Sequence, residues 1–267
     1  MSDSPVTYLS YSKIEKATLC PLSFKFKYID HVPELSSGTM HGGSVVHKVI
    51  EFALEKVILG QPLPSAQDLD DLYPKKWQEI VAEEENKKSF IGWEWDDDSP
   101  ESVMFPDCRA LVKLAREEVL PKLKPKLVEH EINFDLDSKI GPFRVNGYID
   151  LVEEDGLITD WKTSAKVSDR QRKMGLQMPC YAEWSVGARN LPDDATVRAR
   201  KVFLVRGRKP HVVEVPFLVL PRHREWFRET AANVWLMVQG GGYTPNTNTW
   251  MCSKNWCPYW EGCGASA

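Results

Sequence analysis

Two hydrophobic periods divide the chain. In SVVHKVIEFALEKVIL the apolar residues Val45, Val46, Val49, Ile50, Ala53, Leu54, Val57 and Ile58 recur at helical spacing, so a long helix with a buried face is predicted directly after Gly42 and Gly43. Ahead of it, SYSKIEKATLC predicts a short helix and CPLSFKFKYI an apolar-aromatic turn. Residues 60–126 carry many prolines and charges together with the helical pattern CRALVKLAREEVLPKL, which predicts a helical insertion. Near residue 127 the period drops to two. KLVEHEINFDLD, PFRVNGYIDLV and LITDWKTSA predict three strands, with Asp155-Gly156 as a hairpin turn between the second and third. A helix over SDRQRKMGLQMPCYAEWSVGA, strands over VRARKVFLVRG and HVVEVPFLVL, and a helix over REWFRETAANVWLMVQ complete the pattern. This order predicts an α/β fold with a mixed central sheet flanked by helices. One domain is expected over residues 1–267, its core formed by about 41–59 and 127–240 around the 60–126 insertion.

Composition adds bounds rather than detail. A hydrophobic fraction of 42% with 27% charged residues is that of a globular chain with a packed core. No stretch approaches the roughly 18–20 apolar residues that span a bilayer, and MSDSPVTYLSYSK lacks the apolar run of a signal peptide, so a cytoplasmic protein without membrane association is expected. The formal net charge of −4 argues against binding through uniform phosphate neutralisation. Basic residues nevertheless gather locally, at Lys166, Arg170, Arg172 and Lys173 and at Arg198, Arg200, Lys201, Arg206, Arg208 and Lys209. They form either a phosphate track or ordinary solvated faces.

Candidate chemistry sits on the predicted strands. Asp160 and Lys162, at i and i+2, share one face about 6–7 Å apart. Asp150, on the preceding strand, can be brought beside Asp160 by the hairpin. Two neighbouring carboxylates repel unless a cation lies between them, and oxygen ligands suit Mg²⁺ or Mn²⁺. Ile149, Leu151, Ile158 and Trp161 are expected to be buried on the opposite face. The alternative is a solvated strand edge. Three further positions bear on the choice: His47 lies early in the long helix, and Gln177 and Tyr181 lie one helical turn apart.

In chain order, Gly43-x3-His47, Gly147-x2-Asp150, Asp160-x-Lys162 and Gln177-x3-Tyr181 resemble the motifs of the RecB-type branch of the PD-(D/E)XK nuclease superfamily, over residues about 8 to 263. The resemblance implies a restriction-endonuclease-like fold and a metal-dependent DNA exonuclease or end-processing nuclease acting on single-stranded ends. It implies that His47, Asp150 and Asp160 are side-chain metal ligands, with the Trp161 carbonyl as a backbone ligand. Lys162 would position and polarise the attacking water, making Asp150, Asp160 and Lys162 the catalytic set, while Gln177 and Tyr181 would contact substrate. Glu51, one turn after His47, is either a supporting partner or part of a solvated helix face. The competing class is a non-catalytic DNA-binding or assembly subunit on the same scaffold, against which the completeness of the motifs argues.

Of the six cysteines, Cys252, Cys257 and Cys263 fall in WMCSKNWCPYWEGCG and Cys20 opens CPLSF. Thiolates so placed could hold iron-sulfur or zinc. Their arrangement resembles the iron-sulfur subset of the same nuclease branch, which includes CRISPR adaptation nucleases and the AddB subunit of a bacterial helicase-nuclease. That implies a [4Fe-4S] cluster on Cys20, Cys252, Cys257 and Cys263, stapling the Cys20 region to residues 250–264. The C-x4-C-x5-C spacing departs from C-x2-C-x5-C in its first gap. Zinc is the less favoured alternative because a C-x2-C knuckle is absent. Cys108 and Cys180 are expected in the core. The resemblance further implies DNA with free ends, recombination or CRISPR adaptation partners, and a bacterial or phage-infected cell.

Overall fold

The computed structural model describes residues 6–265. In chain order its elements are β1 (Tyr8–Leu9), α1 (Tyr11–Leu19), α2 (Pro21–Tyr28), β2 (Ser36–Ser37), α3 (Gly38–Ile58), α4 (Ala66–Glu85), β3 (Trp93–Glu94), α5 (Glu101–Leu114), β4 (Pro125–Ser138), β5 (Gly141–Glu153), β6 (Ile158–Ser164), α6 (Gln177–Ala188), β7 (Val197–Val205), β8 (His211–Val219) and α7 (Pro221–Gly240).

Local chemistry explains the boundaries that differ from expectation. Ser10 caps α1 by accepting the Lys13 N–H at 3.2 Å, and the helix stops at an extended Cys20, the conformation that a following proline favours. Pro21 then occupies the first turn of a second helix, where its missing N–H costs nothing, so the expected turn is α2. Ser37 caps α3, which begins at Gly38 rather than after Gly43. Only glycine fits there, because a Cβ would come within 2.2 Å of the Trp95 ring. The helix expected from residue 168 begins only at Gln177; Gly175, at φ +65°, interrupts the approach to it. Residues 165–176 are therefore a loop leading out of β6.

The main sheet is mixed, in the order β1-β5-β6-β7-β8, with β4 paired to the other edge of β5. β4 and β5 form a long antiparallel hairpin, β6 and β7 run parallel, and β7 and β8 are antiparallel. On its second edge β5 changes partner: Arg144 and Val145 pair with β1, Leu151 and Val152 pair with β6, and residues 146–150 pair with neither.

Helices cover both faces of this sheet. One core joins Ile149, Val152 and Ile158 to Met178 and Ala182 of α6 and Phe227 and Ala231 of α7. The other joins Leu151, Trp161 and Val202 to Val45, Val49 and Ile50 of α3, with α4 and α5 stacked beyond. The four apolar residues expected on a single face are thus split, Ile149 and Ile158 into the first core and Leu151 and Trp161 into the second. Ile158 and Trp161, three apart, alternate to opposite faces of a sheet that helices cover on both sides. Ile149 and Leu151 flank Asp150 opposite the irregular Glu129, where regular alternation is interrupted. Cys180 lies in the first core and Cys108 in the second. Among the described residues no helix is long and apolar enough to cross a membrane.

Candidate active site

The site forms where β5 and β6 part. Their ladder holds only at Leu151 with Thr159 and Val152 with Ile158, so one residue further along each strand the backbone is free of its neighbour. There the Asp150 carboxylate takes over the ladder's role and accepts the Trp161 N–H at 2.6 Å. A charge-assisted bond to the main chain pins Asp150 in place. On β6, Asp160 is 1% exposed and accepts from the Lys162 ammonium, with Nζ 3.0 Å from Oδ1 and 2.8 Å from Oδ2.

α3 brings His47 to this point from the opposite layer. Its Nδ1 lies 3.7 Å from Asp150 Oδ2 and 3.9 Å from Glu129 Oε1. Glu129, on β4, lies across the hairpin from Asp150, between the pairs Val128–Leu151 and His130–Ile149. Its φ of +43° interrupts the regular strand at that point. His47, Glu129 and Asp150 each offer a ligand atom, all within 4.8 Å of one another, and Asp160 stands outside that group. Glu51 is paired with Lys48 at 2.7 Å.

The electrostatics are those of crowded acids around two cations. Burial raises the Asp150 pKa; His47 counters it, and the Asp160 carboxylate adds to the rise. Burial alone would lower His47, but the neighbouring Asp150 and Glu129 carboxylates outweigh it and keep the imidazole pKa above its usual value. Lys162 is likewise opposed by burial and held above the ordinary lysine value by Asp160 and then Asp150.

Comparison with known proteins decides the family. The sequence profile of the PD-(D/E)XK nuclease superfamily matches residues 8–264. The chain belongs to this superfamily. A crystal structure from Eubacterium rectale, of a protein carrying a provisional exonuclease name, superposes with a TM-score of 0.58 at 13% identity, over 92% of this chain and 87% of that one. At that identity the likeness is one of fold. A second solved structure, of the protein SSO0001, overlaps with a TM-score of 0.35 at 13% identity over 53% of this chain and 61% of its own. No curated protein matches the sequence.

PD-(D/E)XK nucleases use divalent metals, and this donor set fits one: an imidazole nitrogen and two carboxylate oxygens converge within 4.8 Å beside a further buried acid. Gln177 and Tyr181 start α6 on the other side of β6, and the Gln177 amide donates to the Tyr181 hydroxyl at 2.8 Å. Burial raises the Tyr181 pKa, and Asp160 and Asp150 raise it further, which places the phenol within reach of their field.

The basic residues divide. Arg198 bonds Asp155, Arg200 bonds Glu153 and Glu214, and Arg206 bonds Ser99 with Asp107 3.8 Å away, so these three serve internal pairs. Lys166, Arg170, Arg172 and Lys173 are exposed on the 165–176 loop. That loop is tethered to the site, because Lys201 of β7, the partner of Asp160 in the ladder, donates to the carbonyls of Gln171 and Lys173.

Among the described residues no cysteine forms a disulfide. Cys257 lies within electrostatic range of Cys20, Cys252 and Cys263, although no three of them reach the 4.8 Å mutual separation of the His47 group. The Leu22 N–H donates to the Thr244 carbonyl and the Asn246 N–H to Cys20 Sγ, which ties the start of the chain to the segment after α7.

Glu129 is the site residue that sequence reasoning missed. The signal was the β4–β5 turn: Ser138 pairs with Gly141, and counting back nine residues along both strands sets Glu129 opposite Asp150. Directly opposed residues of an antiparallel pair share a face.

Proposed function

We propose that this member of the PD-(D/E)XK nuclease superfamily is a Mg²⁺- or Mn²⁺-dependent deoxyribonuclease that degrades or trims DNA from free, single-stranded ends. The observation that carries this reading is the convergence of His47, Glu129 and Asp150 next to the Lys162–Asp160 pair. His47, Asp150 and Asp160 would hold the cation together with the Trp161 carbonyl, and Glu129 joins them as a fourth side chain. A divalent cation, when bound, supplies acidification of water and neutralisation of phosphate charge.

The chain's own groups account for the rest. Lys162, kept charged by Asp160 and Asp150, donates to the incoming water and to a non-bridging phosphate oxygen, which orients attack and offsets charge developing on phosphorus. Water oxygen bonds to phosphorus, the phosphorus–ester oxygen bond breaks, and the water proton ends on the departing alkoxide. The Trp161 N–H holds Asp150 still during this change. Gln177 and Tyr181 contact the strand from α6, and the exposed bases of the 165–176 loop supply its electrostatic attraction. Cys20, Cys252, Cys257 and Cys263 would hold a [4Fe-4S] cluster, for which four thiolates are the matching donors; zinc is the alternative.

The test is incubation of the full chain with single- and double-stranded DNA, labelled separately at the 5′ and 3′ ends, with Mn²⁺ or with EDTA. The reading expects progressive shortening with Mn²⁺ that EDTA and Lys162→Met both abolish. Binding of DNA without cleavage under every condition would instead establish the non-catalytic subunit.

A further inference from the structure

Beside the catalytic acids, on the side of the sheet where α1 and α6 begin, lies a cavity of about 420 Å³. It exists because the second edge of β5, opposite β4, is unpaired between its contacts with β1 and β6, which opens a gap floored by Asn146 and Tyr148. Tyr11 and Tyr181 form the wall nearest the site, and the Asp160 carboxylate acts on both phenols. Gln177 completes that wall, and Tyr8 lines the cavity from β1.

Three features of this lining point to one kind of occupant. Tyr148 is 57% exposed and Tyr8 38%, so two aromatic rings are offered to a ligand rather than spent on the core. Asn146 Oδ1 is buried and has no hydrogen-bond partner among the described residues, an arrangement that costs free energy unless a donor arrives. The Lys13 ammonium sits 3.5 Å over the Tyr8 ring and brings positive charge to the same end of the cavity. Aromatic faces stack on any base, every nucleobase carries an N–H donor for an amide oxygen, and a volume of this order holds one nucleotide-sized ligand. A base still stacked in a duplex cannot enter such a cavity.

We propose that this cavity is a nucleobase subsite, which takes one unpaired base of the strand being cut, with Tyr8 and Tyr148 as stacking faces and Asn146 as the acceptor for the base edge. The assignment rests on the nuclease reading for the identity of the strand, and it adds a reason for single-strand preference that lies in the chain itself. Tyr148 and Asp150 are two residues apart on one strand, so a base held at the first leaves its phosphate beside the second.

The test separates base recognition from cleavage by measuring binding in EDTA. Full-length protein is titrated into labelled single-stranded oligothymidylate and into a strand of equal length and charge in which every base is replaced by an abasic unit. The wild type should bind the base-bearing strand about tenfold or more tightly, as expected for stacked bases. The variant carrying both Tyr8→Ala and Tyr148→Ala should lose most of that preference while retaining its affinity for the abasic strand; both rings are exposed, and circular dichroism checks the fold. Equal affinity of the wild type for the two strands overturns the subsite without any variant, as does a folded double variant with its preference intact. Metal-dependent cleavage with base-blind binding refutes the subsite alone. Base-dependent binding without cleavage in any metal refutes the nuclease reading and leaves the subsite standing.

Discussion

The parting of β5 and β6 and the segment after α7 both gather chemically active side chains, and they hold them by opposite means. At the strands, Asp160 and Trp161 are 1% and 2% exposed, and Asp150 is fixed by a main-chain N–H. Of residues 241–265, only Tyr259 is buried. This segment is attached by individual links instead: Tyr259 to Glu34, Asn246 to Cys20, and the Trp250 ring under the Arg170 guanidinium at 3.9 Å. Charges set by a ladder and two cores are positioned by the fold itself. A cysteine segment without a core of its own depends on cross-links, which is where a metal or cluster contributes most.

That contrast can be broken at several points, beginning with the largest effect. Asp150→Asn and Lys162→Met should each lower DNA cleavage by about a thousandfold or more. Asp150→Asn keeps an acceptor for the Trp161 N–H and should leave the thermal unfolding midpoint nearly unchanged, whereas Lys162→Met leaves the buried Asp160 carboxylate without its cation and should lower it. Cleavage assays beside calorimetry check this, and full activity in both variants would remove the strands' claim to the chemistry. Next, Phe227→Ala, in the core under the sheet, should cost about 3–5 kcal/mol and lower the midpoint on the order of 10 °C. A shift of a degree or two would mean that the sheet's stability does not come from its two cores.

A smaller and more local effect is expected at the cysteines. Cys257→Ser should open residues 241–265 to protease while the main unfolding transition moves little, and mass spectrometry of the first cleavage products locates the opening. Loss of the whole fold would show that the segment is integral rather than clasped. Trp256→Ala, at a ring 64% exposed, should change stability by no more than about 0.5 kcal/mol. Denaturant titration is sufficient to test that.

Much of the molecule was legible from periodicity, because long amphipathic runs carry their own instructions. The strands over β4, β5, β6, β7 and β8 and the helices α3 and α7 fall within a few residues of their patterns, and the mixed sheet flanked by helices follows from their order. Short-range backbone effects were less visible. α2 hid behind an aromatic-rich stretch that reads as a turn, although Pro21 marks a helix start, and the 165–176 loop hid behind charged residues that also suit a helix. At the site, motif spacing singled out His47, Asp150, Asp160 and Lys162. It said nothing of Glu129, whose place depends on hairpin register, or of which basic residues are already paired.

Residue order alone determined which side chains are candidates for metal and phosphate chemistry, since spacing on a strand or helix fixes the face on which each one lies. Their meeting was decided only by tertiary structure. α3 has to pack on the sheet for His47 to reach Asp150, β5 has to go unpaired along one edge for a cavity to open, and β4 has to pair in one register for Glu129 to arrive. Those distances are set by packing between elements remote in the chain, and no local pattern encodes them.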